Sequence, residues 1–174
     1  YTVTADPVGS EPPCTVVAPF PNPLSCPVGG LDNGTAYTFT VTATNDEGDS
    51  VPSASVEVTP VGPPDSPVTP SASATASGEV TVSWTAPDDG GSAITGYTVT
   101  ANPDGATCSK VPTDTDPLSC TIGGLDNGTE YTFTVVAEND EGDSEAATSD
   151  LVTPLGAPSK PEITPPLVGD GEVT

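Results

Sequence analysis

The sequence has no histidine, no arginine and no methionine, and its only cationic side chains are two lysines. Without histidine, the chain cannot form the Ser-His or Cys-His pair that activates a nucleophile. Carboxylates are plentiful, but they fall in turn sequences, where no burial would adjust a pKa for acid–base work. These absences predict that the chain is not an enzyme.

The shortage of positive charge also limits the partners. Twenty-five acidic residues against two lysines give a formal net charge of −23. Such a surface repels phosphate backbones and anionic membranes, so we expect no nucleic-acid partner and no membrane insertion. The same charge keeps an extended protein soluble and favours the binding of cations.

Helix-favouring sequence is scarce as well, because 22 of the 174 residues are proline. Proline at that frequency is incompatible with a helical protein, since each one removes a backbone donor and breaks a helix interior. Thr, Val and Ser dominate the remainder, as is typical of strands. The composition therefore predicts an all-β protein.

An internal repeat organises the chain. The stretch Leu125–Ser144 repeats Leu31–Ser50 with substitutions only at 36/130, 42/136 and 44/138. Inside the later copy, Tyr131, Phe133 and Val135 fall on alternate residues, which predicts a strand with one buried face. Asp-Asn-Gly before the strand and Asn-Asp-Glu-Gly-Asp after it are turn sequences. A repeated strand with its two turns indicates a modular array.

The four cysteines form two pairs at identical spacing, Cys14/Cys26 and Cys108/Cys120, with one pair in each repeat. No histidine and no Cys-x-x-Cys accompanies them, which argues against zinc. A disulfide within each repeat fits better and implies an oxidising, extracytoplasmic compartment. We therefore predict that the protein is extracellular, either secreted or at the cell surface.

The second copy contains seven predicted strands in about ninety residues, the number in an immunoglobulin-like sandwich. The strand with Trp84, the passage PDDGGSAITGYTV at residues 87–99 and the turn Leu125–Tyr131 resemble fibronectin type III repeats of secreted bacterial proteins. This resemblance implies tandem β-sandwiches and a tyrosine corner, in which the Tyr131 hydroxyl bonds to upstream backbone. The lack of arginine excludes an Arg-Gly-Asp adhesion site of the integrin type.

Three segments follow from the repeat. Residues 1–60 are predicted to be a partial module that lacks its first two strands, 61–155 a complete module, and 156–174 the linker and first strand of a third. We interpret the chain as a window on a longer, nearly periodic array. The alternative is a subunit whose tail completes its neighbour by donating a strand.

Calcium is the one cofactor that the sequence suggests. In the fold implied by the resemblance, the loop after the second strand and the loop before the last strand face the preceding module. Their acidic residues, with those of the preceding turn and linker, could bridge a calcium ion at the junction. The candidate ligands are Asp32, Asp65, Asp88, Asp89, Asp140, Glu141 and Asp143. The alternative is that these turns stay solvated.

Two further motifs have alternative interpretations. Asn33 and Asn127 each begin an Asn-Gly-Thr sequon for glycosylation, but Asn-Gly is also what a turn at this place requires, and we favour the turn. Trp84 and the tyrosines and phenylalanines fall at inward strand positions, which favours core packing over a carbohydrate platform.

The repeat predicts a structural role. We expect an extracellular array that acts as a stalk, spacer or filament, stiffened by short Pro-rich linkers and one disulfide per module. Its partners would be neighbouring copies of the same module, in the same chain or in other chains of a filament. The alternative is an adhesion or carbohydrate- or protein-binding module of a secreted or cell-surface protein.

Overall fold

Strands are the only regular elements in the part of the chain that the computed structural model describes, which comprises residues 1–17, 24–113, 117–156, 168–169 and 172–173. The strands before residue 60 are β1 (Thr2–Asp6), β2 (Cys14–Thr15), β3 (Tyr37–Thr42), β4 (Thr44–Asn45), β5 (Gly48–Asp49) and β6 (Val56–Val58). Those after it are β7 (Val68–Ala76), β8 (Glu79–Thr85), β9 (Gly96–Asn102), β10 (Thr107–Lys110), β11 (Ser119–Gly123), β12 (Thr132–Asn139), β13 (Gly142–Asp143), β14 (Ala147–Thr148), β15 (Val168–Gly169) and β16 (Glu172–Val173).

Strands β7–β14 form two antiparallel sheets, which we call the sandwich. One sheet has the order β11-β8-β7, and the other has the order β10-β9-β12-β13 with β14 also paired to β12. The predicted all-β sandwich is therefore confirmed. Beyond β14, an isolated antiparallel bridge joins Tyr131 to Val152.

The core lies between the two sheets, where the sequence alternates. In β12 the side chains of Phe133, Val135 and Ala137 are fully buried, and each neighbour along the strand is less buried or faces away. The facing sheet contributes Val80, Val82 and Trp84. Burying each large apolar side chain contributes about 1.5–3 kcal/mol, so this layer is the main source of stability.

The strands before residue 60 form a single sheet of order β2-β1-β3-β6, which we call the N-terminal sheet. Its register matches that of the sandwich: Val3 lies opposite Val41 as Val99 lies opposite Val135. No strand occurs in residues 24–36. The sheet thus corresponds to one layer of the sandwich, while the predicted module boundaries near residues 60 and 155 stay predictions.

The predicted third-module segment, residues 156–174, lies mostly outside the described residues. Within it, β15 and β16 pair as a short antiparallel hairpin. Pro19, Pro21 and Pro23 of the first cysteine loop also lie outside the described residues.

Replacing Trp84 tests the packing of the core. Its ring is 5.3 Å from that of Tyr97, and its Nε1 has no hydrogen-bond partner among the described residues. We expect Trp84→Ala to lower the free energy of unfolding by about 3–5 kcal/mol and Trp84→Phe by only about 1 kcal/mol, since no hydrogen bond is lost. Urea denaturation followed by circular dichroism measures both, and equal losses would contradict this account.

Candidate functional site: the joint between sheet and sandwich

The linker between β6 and β7, residues 59–67, is fixed to the N-terminal sheet through a turn. The amide of Gly34 donates to the carbonyl of Pro60 over 2.8 Å. A Cβ atom at Gly62 would overlap the side-chain amide of Asn33, so linker and turn are in direct contact. The Asn-Gly turn that precedes β3 therefore forms one side of a joint.

The same linker is fixed to the sandwich on its other side. The amide of Gly62 donates to the carbonyl of Gly90 over 2.9 Å, and the amide of Asp65 donates to the carbonyl of Asp88 over 3.0 Å. Both acceptors belong to the loop between β8 and β9. The linker is thus held by backbone hydrogen bonds on both sides, to the turn before β3 and to the loop between β8 and β9.

Glycines make this contact possible. Gly90 and Gly91 have φ angles of +66° and +79°, which favour glycine. A Cβ at Gly90 would stand 2.5 Å from the carbonyl oxygens of Gly62 and Pro63, and one at Gly91 would stand 2.8 Å from the Cα of Gly34. No other residue type fits at Gly90 or Gly91 without separating the sheet from the sandwich.

Asn139 connects the parts of the joint through one side chain, which is only 8% exposed. Its Nδ2 donates to the carbonyl oxygens of Gly62, Asp89 and Ser92 over 2.8, 2.9 and 3.1 Å. Its Oδ1 accepts from the amides of Glu141 and Gly142, which fixes the turn after β12. Sequence reasoning missed this residue, although an asparagine begins the acidic turn in both repeats.

The predicted calcium ligands do not all meet. Asp32, Asp65 and Asp88 line one cleft of about 380 Å³ at the joint. The carboxylates of Asp88 and Asp89 accept hydrogen bonds from the amides of Gly90 and Gly91, 2.9 Å each, which shapes their own loop. Asp140, Glu141 and Asp143 belong to the turn after β12 and do not line the cleft. Among the described residues, no group of three or more His, Cys, Asp or Glu could hold a metal ion.

The spread of these carboxylates argues against the calcium site that the sequence predicts, and a matched titration tests that prediction. Extracellular calcium sites bind at about 0.1–1 mM. Because three carboxylates share only a wide cleft, we expect about 1 mM calcium to raise the unfolding midpoint no more than sodium chloride of equal ionic strength does. A surplus stabilisation by calcium that disappears in Asp88→Asn but persists in Asp150→Asn, on the exposed end of the sandwich, would instead establish the site.

Both predicted cysteine pairs are disulfides, Cys14–Cys26 and Cys108–Cys120. Cys108 lies on β10 and Cys120 on β11, which are edge strands of opposite sheets. The bond therefore joins the two layers of the sandwich at one side, where neither strand has a second neighbour. Such a bond resists separation of the layers.

The length of the loop that this disulfide closes sets the unfolding free energy that we expect to be lost when the bond is removed. A sequence separation of 12 residues corresponds to about 3 kcal/mol if the bond acts by restricting the unfolded chain. We expect the double variant Cys108→Ala/Cys120→Ala to lose about that much unfolding free energy, measured by urea denaturation. A loss below about 1 kcal/mol would mean that the layers are held by their core alone.

Both tyrosine corners are present. The hydroxyl of Tyr131 accepts from the amide of Asp126 at 3.1 Å, and that of Tyr37 accepts from the amide of Asp32 at 3.0 Å. The Tyr131 hydroxyl also donates to the carboxylate of Asp104. This hydrogen bond, together with burial, raises the pKa of Tyr131 and keeps its hydroxyl protonated.

The two sequon asparagines, Asn33 and Asn127, both lie in turns. Gly34 and Gly128, which follow them, have φ angles of +76° and +83°. The Asn127 side chain accepts from the amide of Gly78 over 2.8 Å and donates to the hydroxyl of Ser77 over 3.1 Å, so it fixes the turn between β7 and β8. These contacts fit the turn interpretation, and glycosylation at Asn33 or Asn127 stays a prediction.

A family match agrees with the strand order and the tyrosine corners. The profile of the Fibronectin type III domain matches residues 65–153, about half of the chain. The chain belongs to the fibronectin type III family. The matched range coincides with the sandwich and the end of the linker, so the joint places a fibronectin type III domain against the N-terminal sheet.

Three bacterial proteins are similar to this fibronectin type III chain. Endoglucanase B of Cellulomonas fimi is 36% identical over 159 residues, which are 86% of this chain and 15% of that protein. Exoglucanase B of the same species is 34% identical over 82% of this chain and 13% of its own length. Chitinase A1 of Niallia circulans is 35% identical over 70% of this chain and 18% of its own length. The chain thus spans less than a fifth of each of these relatives.

Solved structures are also similar to the chain. A set of titin domains is 29% identical and covers 71% of this chain and 42% of that one, with a TM-score of 0.46. A domain of Drosophila Lar is 25% identical and covers 54% of this chain and 99% of that one, with a TM-score of 0.44. No helix in the described part of the fibronectin type III chain is long and apolar enough to cross a membrane.

Proposed function

We propose that this chain is a spacer in a secreted bacterial protein and that it holds the domains on either side of it at a set distance and angle. The joint carries the proposal. Backbone atoms of the turn, the linker and the loop are in contact there, and a buried asparagine links them to the sandwich. A hinge would instead need a linker free to rotate.

The host that we propose is a secreted enzyme acting on a polysaccharide. Three relatives bear the names of an endoglucanase, an exoglucanase and a chitinase. Two disulfides support an oxidising, extracytoplasmic location for the chain itself. A spacer would keep a catalytic domain at a distance from whatever anchors the enzyme to its substrate.

The alternative of a carbohydrate-binding module is less well supported. Such modules bind sugars on exposed aromatic side chains, but the aromatic residues of the sandwich are buried, with Trp84 at 7% exposure and Tyr97 at 2%. The acidic surface favours separation from neighbouring chains rather than assembly. A filament therefore has less support than a spacer within one polypeptide.

Two glycine variants test the spacer proposal. Gly91 and Gly105 both have positive φ, +79° and +74°, but a Cβ at Gly105 would meet nothing within 4 Å. Both alanine variants should therefore lose about 1–2 kcal/mol of unfolding free energy. Only Gly91→Ala should also separate the sheet from the sandwich.

Small-angle X-ray scattering measures the difference. We expect Gly91→Ala to increase the radius of gyration and broaden the distance distribution, while Gly105→Ala scatters like the unaltered chain. If Gly91→Ala leaves the scattering unchanged, the joint does not set the angle and the spacer proposal fails.

A further inference from the structure

Two Asn-Gly pairs make parts of the chain chemically reactive. They are Asn33-Gly34 and Asn127-Gly128, and the chain has no others. In such a pair the backbone nitrogen of glycine can attack the side-chain carbonyl carbon of asparagine, because glycine has no side chain to block the approach. Both asparagines are exposed, so water reaches them. Each pair is therefore a candidate site of spontaneous deamidation.

The reaction is intramolecular and needs only water. The glycine nitrogen loses its proton and bonds to the asparagine Cγ, the C–N bond of the side-chain amide breaks, and ammonia leaves with that proton. Water then opens the resulting succinimide ring at either of its two carbonyl groups. The product is aspartate, or isoaspartate, in which the backbone runs through the side chain. Both products add one negative charge to the chain.

The fold restrains the attacking nitrogen at both sites. The amide of Gly34 donates to the carbonyl of Pro60 over 2.8 Å, and the amide of Gly128 donates to the carbonyl of Pro154 over 3.2 Å. An amide held in this way is not free to move toward the neighbouring side chain. The rate in the folded chain therefore depends on how often each turn opens from the segment that holds it.

The two asparagine side chains are held differently. The Asn127 side chain accepts from the amide of Gly78 and donates to the hydroxyl of Ser77, over 2.8 and 3.1 Å. The Asn33 side chain has no hydrogen bond within the described part of the chain, and its amide lies against Gly62 of the linker. Reaction at Asn33 thus needs only the joint to open, whereas Asn127 must also break two further hydrogen bonds.

Asn33 also lies where a new charge has an effect. It lines the cleft of the joint together with Asp32, Asp65 and Asp88. Deamidation would place a fourth carboxylate there, and like charges in one cleft repel each other. Isoaspartate would in addition lengthen the backbone of the turn that bonds to Pro60. Both changes act to separate the turn from the linker.

We propose that Asn33 is a site of spontaneous deamidation, that opening of the joint limits its rate, and that the product loosens the joint permanently. The last step rests on the proposed function, in which the joint sets an angle between sheet and sandwich. The modified fraction of the protein then records how often its joint has opened.

Mass spectrometry of the full chain, aged in heavy-oxygen water, tests the site, because hydrolysis puts a heavy oxygen into the product. Peptides from the two sites differ in mass, since Ala36 in one copy corresponds to Glu130 in the other. We expect Asn33 to deamidate about tenfold or more faster than Asn127, which has two more hydrogen bonds to break. Equal rates, or a faster reaction at Asn127, would overturn the proposal.

The same chain, reduced and unfolded in urea, is the internal control. Both sites have the sequence Leu-Asp-Asn-Gly-Thr, so the two unfolded sites should deamidate at one rate. A difference between the sites that persists in urea would mean that the fold does not set it, and would overturn the proposal.

The two glycine variants link the reaction to the joint. We expect Gly91→Ala to speed deamidation at Asn33 by about tenfold and to leave Asn127 unchanged, whereas Gly105→Ala should change neither rate. If Gly91→Ala alters the scattering but not the rate at Asn33, the spacer proposal stands and this inference fails. If Gly91→Ala alters neither, both fail.

The loosening is measured on the modified protein itself. The form deamidated at Asn33 carries one more negative charge, so anion exchange separates it from the unaltered chain. We expect it to have a larger radius of gyration at low salt, where charge repulsion is least screened. Asn127→Asp adds the same charge at the same position of the repeat and should scatter like the unaltered chain. Unchanged scattering of the deamidated form would overturn the proposed loosening.

Discussion

Close contact between backbones is the constraint on which this arrangement of sheet and sandwich depends. The carbonyl oxygens of Gly62 and Pro63 occupy the space where a side chain of Gly90 would stand. The backbone of Gly34 and the carbonyl oxygen of Pro60 occupy the space where a side chain of Gly91 would stand. Such contact needs positive φ angles and the absence of a Cβ on the same residues, which only glycine combines. The angle at a joint made from backbone atoms varies less than the angle at one made from long side chains, because fewer rotatable bonds separate the two parts.

The other features of the chain fit this constraint. The apolar core makes the sandwich rigid, so an angle set at the joint is kept along the whole domain. The Cys108–Cys120 disulfide links the two layers at their edge strands. The buried amide of Asn139 extends the same rigidity from the sandwich to the linker. The acidic surface keeps such an extended molecule from associating with its neighbours.

Much of the fold was predictable because its causes are local. Alternation at Tyr131, Phe133 and Val135 identified β12, and the spacing of the cysteines identified both disulfides. The role of Asn139 at the joint was not predicted, because its hydrogen-bond partners, such as Gly62, are far away in the sequence. The acidic residues were expected to converge, but which carboxylates line the cleft depends on where each turn points, and only Asp32, Asp65 and Asp88 do.

The N-terminal sheet shows a second limit of sequence reasoning. Val41 and Val135 stand in nearly identical stretches, yet one is exposed and the other buried, because burial depends on the layer that covers them. The most direct test of the central claim is to measure residual dipolar couplings of backbone amides in the unaltered chain. A rigid joint predicts one alignment tensor for β3 and β12 together. Two tensors of different magnitude would mean that sheet and sandwich move independently, and would contradict the account.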